Sequence, residues 1–461
     1  MTGAWVHGKR APLDHTRHAS ERVQLMEYKR HALGRADVHT GASAHRWEAD
    51  VVIVGGAVAG ASMAHALAEY NISSVVLERN DDFPEINRGD AIQPLTLSFL
   101  ERWGVLPHMV EMGGYPIRGW DFINPRIGHL GEWSFDDLPF KFNHSMILRH
   151  TKIHRALYAA MESRRDLINP QRGAQVTGVI RDEATGQVVG AVGTTRGETF
   201  EAVGRVVVAA DGPQSKVREF VGIAVQEQSS YDHGYLMLTI PKPDLPELDR
   251  RGIRYVGRHG LTVLIPLDGG EDMRIPVQIP KGSVSEWRRM SAGTLRRQLI
   301  TRAPILEHAD TASALGHLSH FYGVGRQHAD AYVRNNVCLI GEAAHTIHPT
   351  TAQGMNMALL DAEILAAVIK RCFDVDGVSD QTLGLYERSR RATNDAVMET
   401  SHNQGLHHTS HGIWHDIWGV RVYRWMEDDD AKRELSVRIA GLKNPTSKDL
   451  EILNYDLEAV N

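Results

Sequence analysis

The sequence predicts an α/β protein, a Rossmann-like dinucleotide-binding domain with an inserted β-rich unit and C-terminal helices. Three observations carry that expectation. An aliphatic run, Val51-Val52-Ile53-Val54, leads straight into a glycine turn and then a helical pattern. Two later aliphatic runs, Val206–Ala209 and Val337–Ile340, each end on a turn that bears an acid. Between them lie short β-rich runs punctuated by Gly and Pro.

The elements follow in chain order. Residues 1–47 form an N-terminal extension rich in Arg and His, with few aliphatic runs and one short helical pattern over Ser20–Ala32. It reads as a flexible or surface-packed extension, or as an arm that contacts a partner subunit. The run Val51–Val54 is β-branched throughout, which predicts a strand buried on both faces of a parallel sheet. It enters Gly55-Gly56-Ala57-Val58-Ala59-Gly60, and a helix is expected over Ala61–Tyr70. The next strand, Ser74–Leu77, ends on Glu78 and Arg79, at the spacing of about 20 residues that a dinucleotide fold uses. The glycines let the backbone approach a pyrophosphate, and the helix N-terminus offers free N–H groups and partial positive charge. Glu78 can accept hydrogen bonds from an adenosine ribose. Ala57 stands where the middle glycine of G-x-G-x-x-G is usual, so a methyl group narrows the approach.

The second acid-bearing turn is Asp211-Gly212, with a helix expected from near Ser215. The third runs Gly341-Glu342-Ala343-Ala344-His345, through a loop with His348 and Pro349, to a long helix from near Gly354 that contains Asp361. That helix would aim the N–H groups of Gly354, Met355 and Asn356 at whatever lies before it. Pro349 removes a backbone donor and stiffens the loop. Strands are expected at Tyr235–Ile240, Ile253–Val256, Thr262–Pro266 and Met273–Ile279, joined by Gly119–Phe135 into one sheet. No conspicuous Arg or His cluster in them identifies a carboxylate-bearing substrate.

Composition excludes several function classes. At 461 residues, 42% hydrophobic and 23% charged, the chain matches a soluble globular protein of two or three domains. A net charge of -6 argues against nucleic acid as the main partner. Two cysteines, Cys338 and Cys372, without a short-spaced pair, exclude a disulfide scaffold or a Cys-based zinc site and fit a reducing compartment. With no membrane-length apolar run and no secretory h-region, a cytoplasmic location is expected. His407, His411 and His415 share helical spacing, but Gly405 and Gly412 are expected to interrupt the helix and no carboxylate joins them, so no metal is assigned. Trp414, Trp418 and Trp425 read as a core or subunit-contact stripe, and a homodimer is a candidate assembly. His345 is expected to pack the loop, and His348 is the candidate to move a proton.

Taken together, the three segments resemble the glycine, DG and GD motifs of the class A flavoprotein monooxygenases, the para-hydroxybenzoate hydroxylase-like family, in order and spacing over residues 50 to 400. Glu342 stands where that family usually has Asp, and Ala352 where it usually has Gly. The resemblance implies non-covalent FAD, NADPH or NADH as reductant, O2, and hydroxylation of a small aromatic substrate through a C4a-hydroperoxyflavin. Epoxidation, Baeyer–Villiger insertion, N-hydroxylation, or a reductase that never transfers oxygen use the same cofactor. The Trp-x-Trp-x-Ile-Pro stretch of a tryptophan-type halogenase is absent from the sequence. The resemblance also implies a discontinuous FAD-binding domain (48–118, 145–230 and 325–400), a substrate domain (119–144 and 231–324) and a C-terminal helical region (401–461). Arg88 and Arg149 resemble the family's arginines near FAD, with a surface salt bridge as the other reading. Val176 resembles the strand residue whose backbone meets the adenine, although a core valine fits as well. Asp211 resembles the acid of the DG motif, and Gly341, Glu342, Pro349 and Gly354–Asn356 those around the flavin ring.

Overall fold

Val51–Val54 is buried along its whole length because it pairs in parallel on both edges, with Ser74–Glu78 and with Val206–Ala209. The structure, a computed structural model, describes residues 44–86, 89–318, 320–375, 377–409, 423–424 and 426–443. Across the central sheet the order is Val333–Arg334, Val337–Leu339, Val206–Ala209, Val51–Val54, Ser74–Glu78 and Ile168–Arg172. Only the first of these is antiparallel to its neighbour. The helices Val58–Glu69 and Gly354–Asp374 pack against each other beside this sheet, and His150–Met161 lies against the first of them. The first two start within a few residues of their expected positions.

A four-stranded sheet sets His45–Glu48 parallel to Glu198–Val203, followed by Val188–Thr195 and Ala174–Arg181. The expected β-rich runs are found in an eight-stranded mixed sheet containing Gly119–Asn124, Gly128–Ser134, Val225–Pro241, Arg251–Gly257, Gly260–Leu267, Asp272–Pro280, Phe321–Ala329 and His345–Thr346. Period-two alternation gives this sheet two faces. On one, Leu236, Leu238, Ile253, Tyr255, Leu264, Ile275 and Val277 pack on Trp287, Leu295 and Leu299 of two short helices. On the other, Tyr231, Tyr235, Met237, Val263, Trp120 and Phe122 join the core shared with the central sheet.

Ion pairs tie the eight-stranded sheet and its turns to segments outside it. Arg274 Nε donates to Asp90 Oδ2 at 3.0 Å with both side chains buried, and Arg149 is held by Asp268 and Asp272.

One expectation needs correction. Gly405 does not interrupt its helix, which runs unbroken over Asp380–Thr409. The eight-stranded sheet buries Arg254, Arg274 and His233, each on a different partner. The helix expected at Ser20–Ala32, together with His411, His415, Trp414, Trp418 and Trp425, lies outside the described residues. Among the described residues no helix is long and apolar enough to cross a membrane.

Candidate active site

Gly55 takes φ +96°, and a Cβ there would sit 2.4 Å from the Ala210 carbonyl oxygen. Only glycine lets the first strand turn so close to its neighbour. A Cβ on Gly60 would lie 1.8 Å from the Gly55 carbonyl oxygen, so this glycine permits close packing of helix on strand. Gly56 is gripped from three sides: its N–H donates to Glu78 Oε2 at 2.9 Å, His154 Nε2 meets its carbonyl at 2.7 Å, and Tyr158 Oη would be 2.3 Å from an added Cβ. Glu78 is buried, and its Oε1 accepts from the Asn80 N–H at 2.9 Å and Asn80 Nδ2 at 2.7 Å. Of the roughly four acceptor positions of a carboxylate, three are occupied and one is left for a ribose hydroxyl.

The two helix N-termini nearest this turn are chemically unfinished. Ala57 precedes Val58–Glu69 and Gln353 precedes Gly354–Asp374; neither helix has a side-chain cap or an acid in its first turn. Ser215, Ser291 and Asp428 cap three other helices, while those starting at Pro94, Leu106, His150 and Val284 also lack a side-chain cap. Gly341, at φ +58°, joins the two ends, since a Cβ there would lie 3.0 Å from Ala59 Cβ and 3.2 Å from Ala358 Cβ. The Asn356 side chain is fully engaged: Oδ1 accepts from the Gln93 N–H and Thr96 Oγ1, and Nδ2 donates to the Ala91 and Ala352 carbonyls. A bound group therefore meets backbone N–H at this helix end. Gly354 is exposed, Met355 is half-buried, and Glu342 sits half-buried in the single turn Gly341–Ala343.

Behind the turn lies a buried polar knot. Asp361 binds His345 Nε2 at 2.6 Å, Arg390 Nε at 3.0 Å and the Gly341 N–H at 3.2 Å. Burial would raise its carboxyl, but His345 and Arg390 outweigh that and hold it at about 2. His345 thus fixes the loop's root, as expected of a packing histidine.

From that root the loop passes through His348 and the single turn Pro349–Thr351 to Ala352, which adopts the left-handed conformation at φ 52°. This is the position where glycine was the expected residue. His348 is completely buried, and burial, then His233 and His402, push its imidazole down to about 3. The Thr350 N–H donates to His348 Nδ1 at 3.3 Å, so the neutral ring carries its proton on Nε2, which faces His233 Nε2 at 3.0 Å. Tyr231 packs edge-on against His348 with centroids 4.8 Å apart, and its hydroxyl meets His402 Nδ1 at 2.7 Å. Arg254 reaches the same loop, donating from Nη1 to the Thr350 carbonyl at 3.0 Å.

Sequence reasoning missed Tyr231, His233, Tyr235 and Arg254. The alternation Tyr231-x-His233-x-Tyr235 was their one available signal, because it puts three ring-bearing polar residues on one face of a strand.

The remaining candidates are dispersed. Arg79 is exposed just after Glu78, and Arg88 lies outside the described residues. Arg149 precedes the helix His150–Met161 with its guanidinium committed to Asp268 and Asp272. Val176 is half-buried at a bulge opposite Gly193. Asp211 Oδ2 accepts from the Lys216 and Val217 N–H groups, while Oδ1 is buried without a partner. Burial raises this carboxyl.

FAD fits this set. Two uncapped helix ends would suit its anionic portions, Asp211 Oδ1 is an orphaned acceptor, and Gly212 opens onto space that no neighbouring atom fills within 4 Å of an added Cβ. The FAD binding domain family matches residues 48–401. FAD-dependent monooxygenase terD of Aspergillus terreus is 26% identical over 68% of this chain and 52% of its own length. 3-Demethoxyubiquinol 3-hydroxylase of Escherichia coli is 24% identical over 75% of this chain and 86% of its own. The p-nitrophenol 4-monooxygenase PnpA of Pseudomonas putida shares the fold at a TM-score of 0.69, with 18% identity, over 89% of this chain and 99% of that one. The chain spans about half of the fungal relative and nearly all of the bacterial structure. With the model of the FAD binding domain family matching residues 48–401, this chain belongs to that family.

Proposed function

We propose that the protein holds FAD without a covalent bond, draws hydride from NADPH or NADH, and uses O2 to hydroxylate a small, phenol-like aromatic substrate. One observation carries this reading: the loop His348–Ala352 has the uncapped Gly354 helix on one side and the buried histidine–tyrosine face of the eight-stranded sheet on the other. Bound FAD supplies hydride acceptance and oxygen activation. The Gly354 helix end would favour negative charge on bound FAD. Tyr231, Tyr235, Trp120 and Phe122 keep water from the sheet side of the loop.

His348 serves as a proton conduit rather than a free base, since both of its nitrogens are engaged. The Thr350 hydroxyl lies against Nδ1. A phenolic proton taken by Thr350 Oγ1 lets that hydroxyl pass its own proton to His348 Nδ1, while Nε2 hands its proton to His233. The names of the bacterial relative and of the Pseudomonas structure, a hydroxylase and a phenol monooxygenase, support the same reaction class.

The test is turnover with a panel of phenols in labelled oxygen gas. Label in the product supports the reading. Consumption of NADPH or NADH with hydrogen peroxide as the sole oxygen product across the panel refutes it.

A further inference from the structure

Between the helices Asp380–Thr409 and Asp429–Ile439 lies a cleft of about 380 Å³, which reaches Thr351 and Gln353 on either side of Ala352. That volume is enough for a small organic ligand, since binding pockets span about 300–1,000 Å³. Ala396, Val397, Leu435 and Ile439 give the cleft apolar walls. Two cations line it, Arg438 and Lys443, and both pair with Glu434, at 3.0 and 2.9 Å. No carboxylate and no imidazole is among the described residues that line it.

Two polar groups in these walls are unfinished. Gln353 is only 4% exposed, and its Nε2 donates to the Ile439 carbonyl at 2.9 Å. That bond fixes which way the amide points and leaves Oε1 buried without a donor. Thr393 is 7% exposed, and its hydroxyl has no partner either. A helical threonine can return its hydroxyl to the carbonyl one turn back, as Thr400 does to Ala396 at 2.8 Å. Thr351 is satisfied by the Ser401 hydroxyl at 2.6 Å. A buried acceptor left unmade costs free energy, which a bound donor recovers.

We propose that the cleft is a second ligand site, for a small uncharged alcohol that lays its apolar body on Val397, Leu435 and Ile439 and donates its hydroxyl to Gln353 Oε1. Walls whose cations are already paired select a neutral molecule, and the unmatched amide oxygen selects a donor. Gln353 immediately precedes the Gly354 helix, so an occupant grips the loop from a third side, that of the two helices. The site is independent of the hydroxylase reading.

The probes are menthol and its ketone menthone, which lacks the donor, titrated calorimetrically into the FAD-loaded full chain. Menthol is expected to bind at least about fivefold more tightly, since menthone sets a second acceptor against Gln353 Oε1. Gln353→Met should bring the two ligands to within about twofold. Ala396→Trp, which fills the cleft from an exposed helix position, should weaken menthol by more than about tenfold. Equal affinities for the pair, absence of binding by both, or a menthol affinity that survives Ala396→Trp would overturn the site. Should Gln353→Met fail to fold, the wild-type comparison and Ala396→Trp still decide. Menthol should also leave the flavin bound, read by its fluorescence. Release of flavin would show that the cleft belongs to the cofactor's own cavity and would overturn a second site.

Discussion

The His348 ring lies against Gly405, close enough that a Cβ on Gly405 would come within 2.7 Å of both Cδ2 and Cγ and 2.8 Å of Nδ1. The ring cannot retreat easily, being bonded to Thr350 on one side and His233 on the other. Alanine in a helix interior normally gains about 1 kcal/mol over glycine, whereas overpacking a fixed ring costs about 1–3 kcal/mol. Gly405→Ala should therefore destabilise the protein, read as a lower urea midpoint. A raised midpoint would show that the ring does not sit there.

Ala352 presents the reverse case. Its left-handed conformation costs an L-residue about 1–2 kcal/mol, and glycine returns about 0.4–1 kcal/mol of that through a freer unfolded chain. Ala352→Gly is expected to stabilise the protein by roughly 0.5–1 kcal/mol on balance. Equilibrium unfolding with FAD bound measures it, and a clear loss of stability would contradict the strained turn.

Glu78 accepts from donors on both oxygens, so Glu78→Gln must set an amide N–H against either Gly56 N–H or the Asn80 donors. Losing a charge-assisted bond of about 1.5–3 kcal/mol should weaken FAD by more than about tenfold. Flavin fluorescence on dilution reports the affinity. An unchanged value in a folded variant would separate Glu78 from the cofactor.

At Gly354 two substitutions should part company. An added Cβ meets nothing nearer than Ile347 Cγ1 at 3.6 Å, so Gly354→Ala should load FAD normally and keep its reduction potential. Proline suits the first residue of a helix but disfavours the helical conformation of Gln353 before it, at φ −97° and ψ −17°, and it removes an N–H. Gly354→Pro should lower the potential and slow reduction by NADPH or NADH. Equal potentials in the two variants would place this helix end away from the flavin.

Acid should unfold the protein early. Burial holds His65 down at about 4 and, with neighbouring positive groups, His328 and His348 at about 3. These folded values lie below the unfolded value near 6.5, so below that pH the unfolded chain takes up protons that the native state refuses. Stability should fall by about 1.4 kcal/mol per pH unit for each histidine, or about 4 for the three, from pH 6.5 down towards 4. Asp361, held at about 2, keeps its contribution across that window. Replacing His65 with Gln should remove about a third of the slope in urea titrations, and an unchanged slope would show that His65 is not buried neutral.

What could be read from the sequence was local. Gly55–Gly60, Glu78 and the Gly341–Asn356 segment announce themselves because strand, turn and helix follow one another along the chain. Asp211 and Ser215 are legible for the same reason. Arg254 and His233 reach the His348–Thr350 loop from strands far from it in sequence, and a single Arg in Ile253-Arg254-Tyr255-Val256 carries no hint of what lies opposite. Gly405 was misleading because glycine within a helical pattern reads as a breaker. Its reason for being there is the ring of a residue far away in sequence. Arg149 matched a family position, yet its guanidinium is bound to Asp268 and Asp272, partners that no local pattern ties to it.

The order of strands in the central sheet also bears on how the chain is made. Val206–Ala209 needs Val337–Leu339 along its open edge, and the whole eight-stranded sheet except its last short strand is encoded before that partner emerges. During synthesis one flank of the nucleotide-binding core therefore waits unpaired, an apolar edge exposed to other nascent chains. Asp361 and Arg390, which tie the completed loop to the last helices, arrive later still. A chain not yet synthesised past Arg390 therefore lacks the ion pair that anchors Asp361 beneath the Gly341 turn.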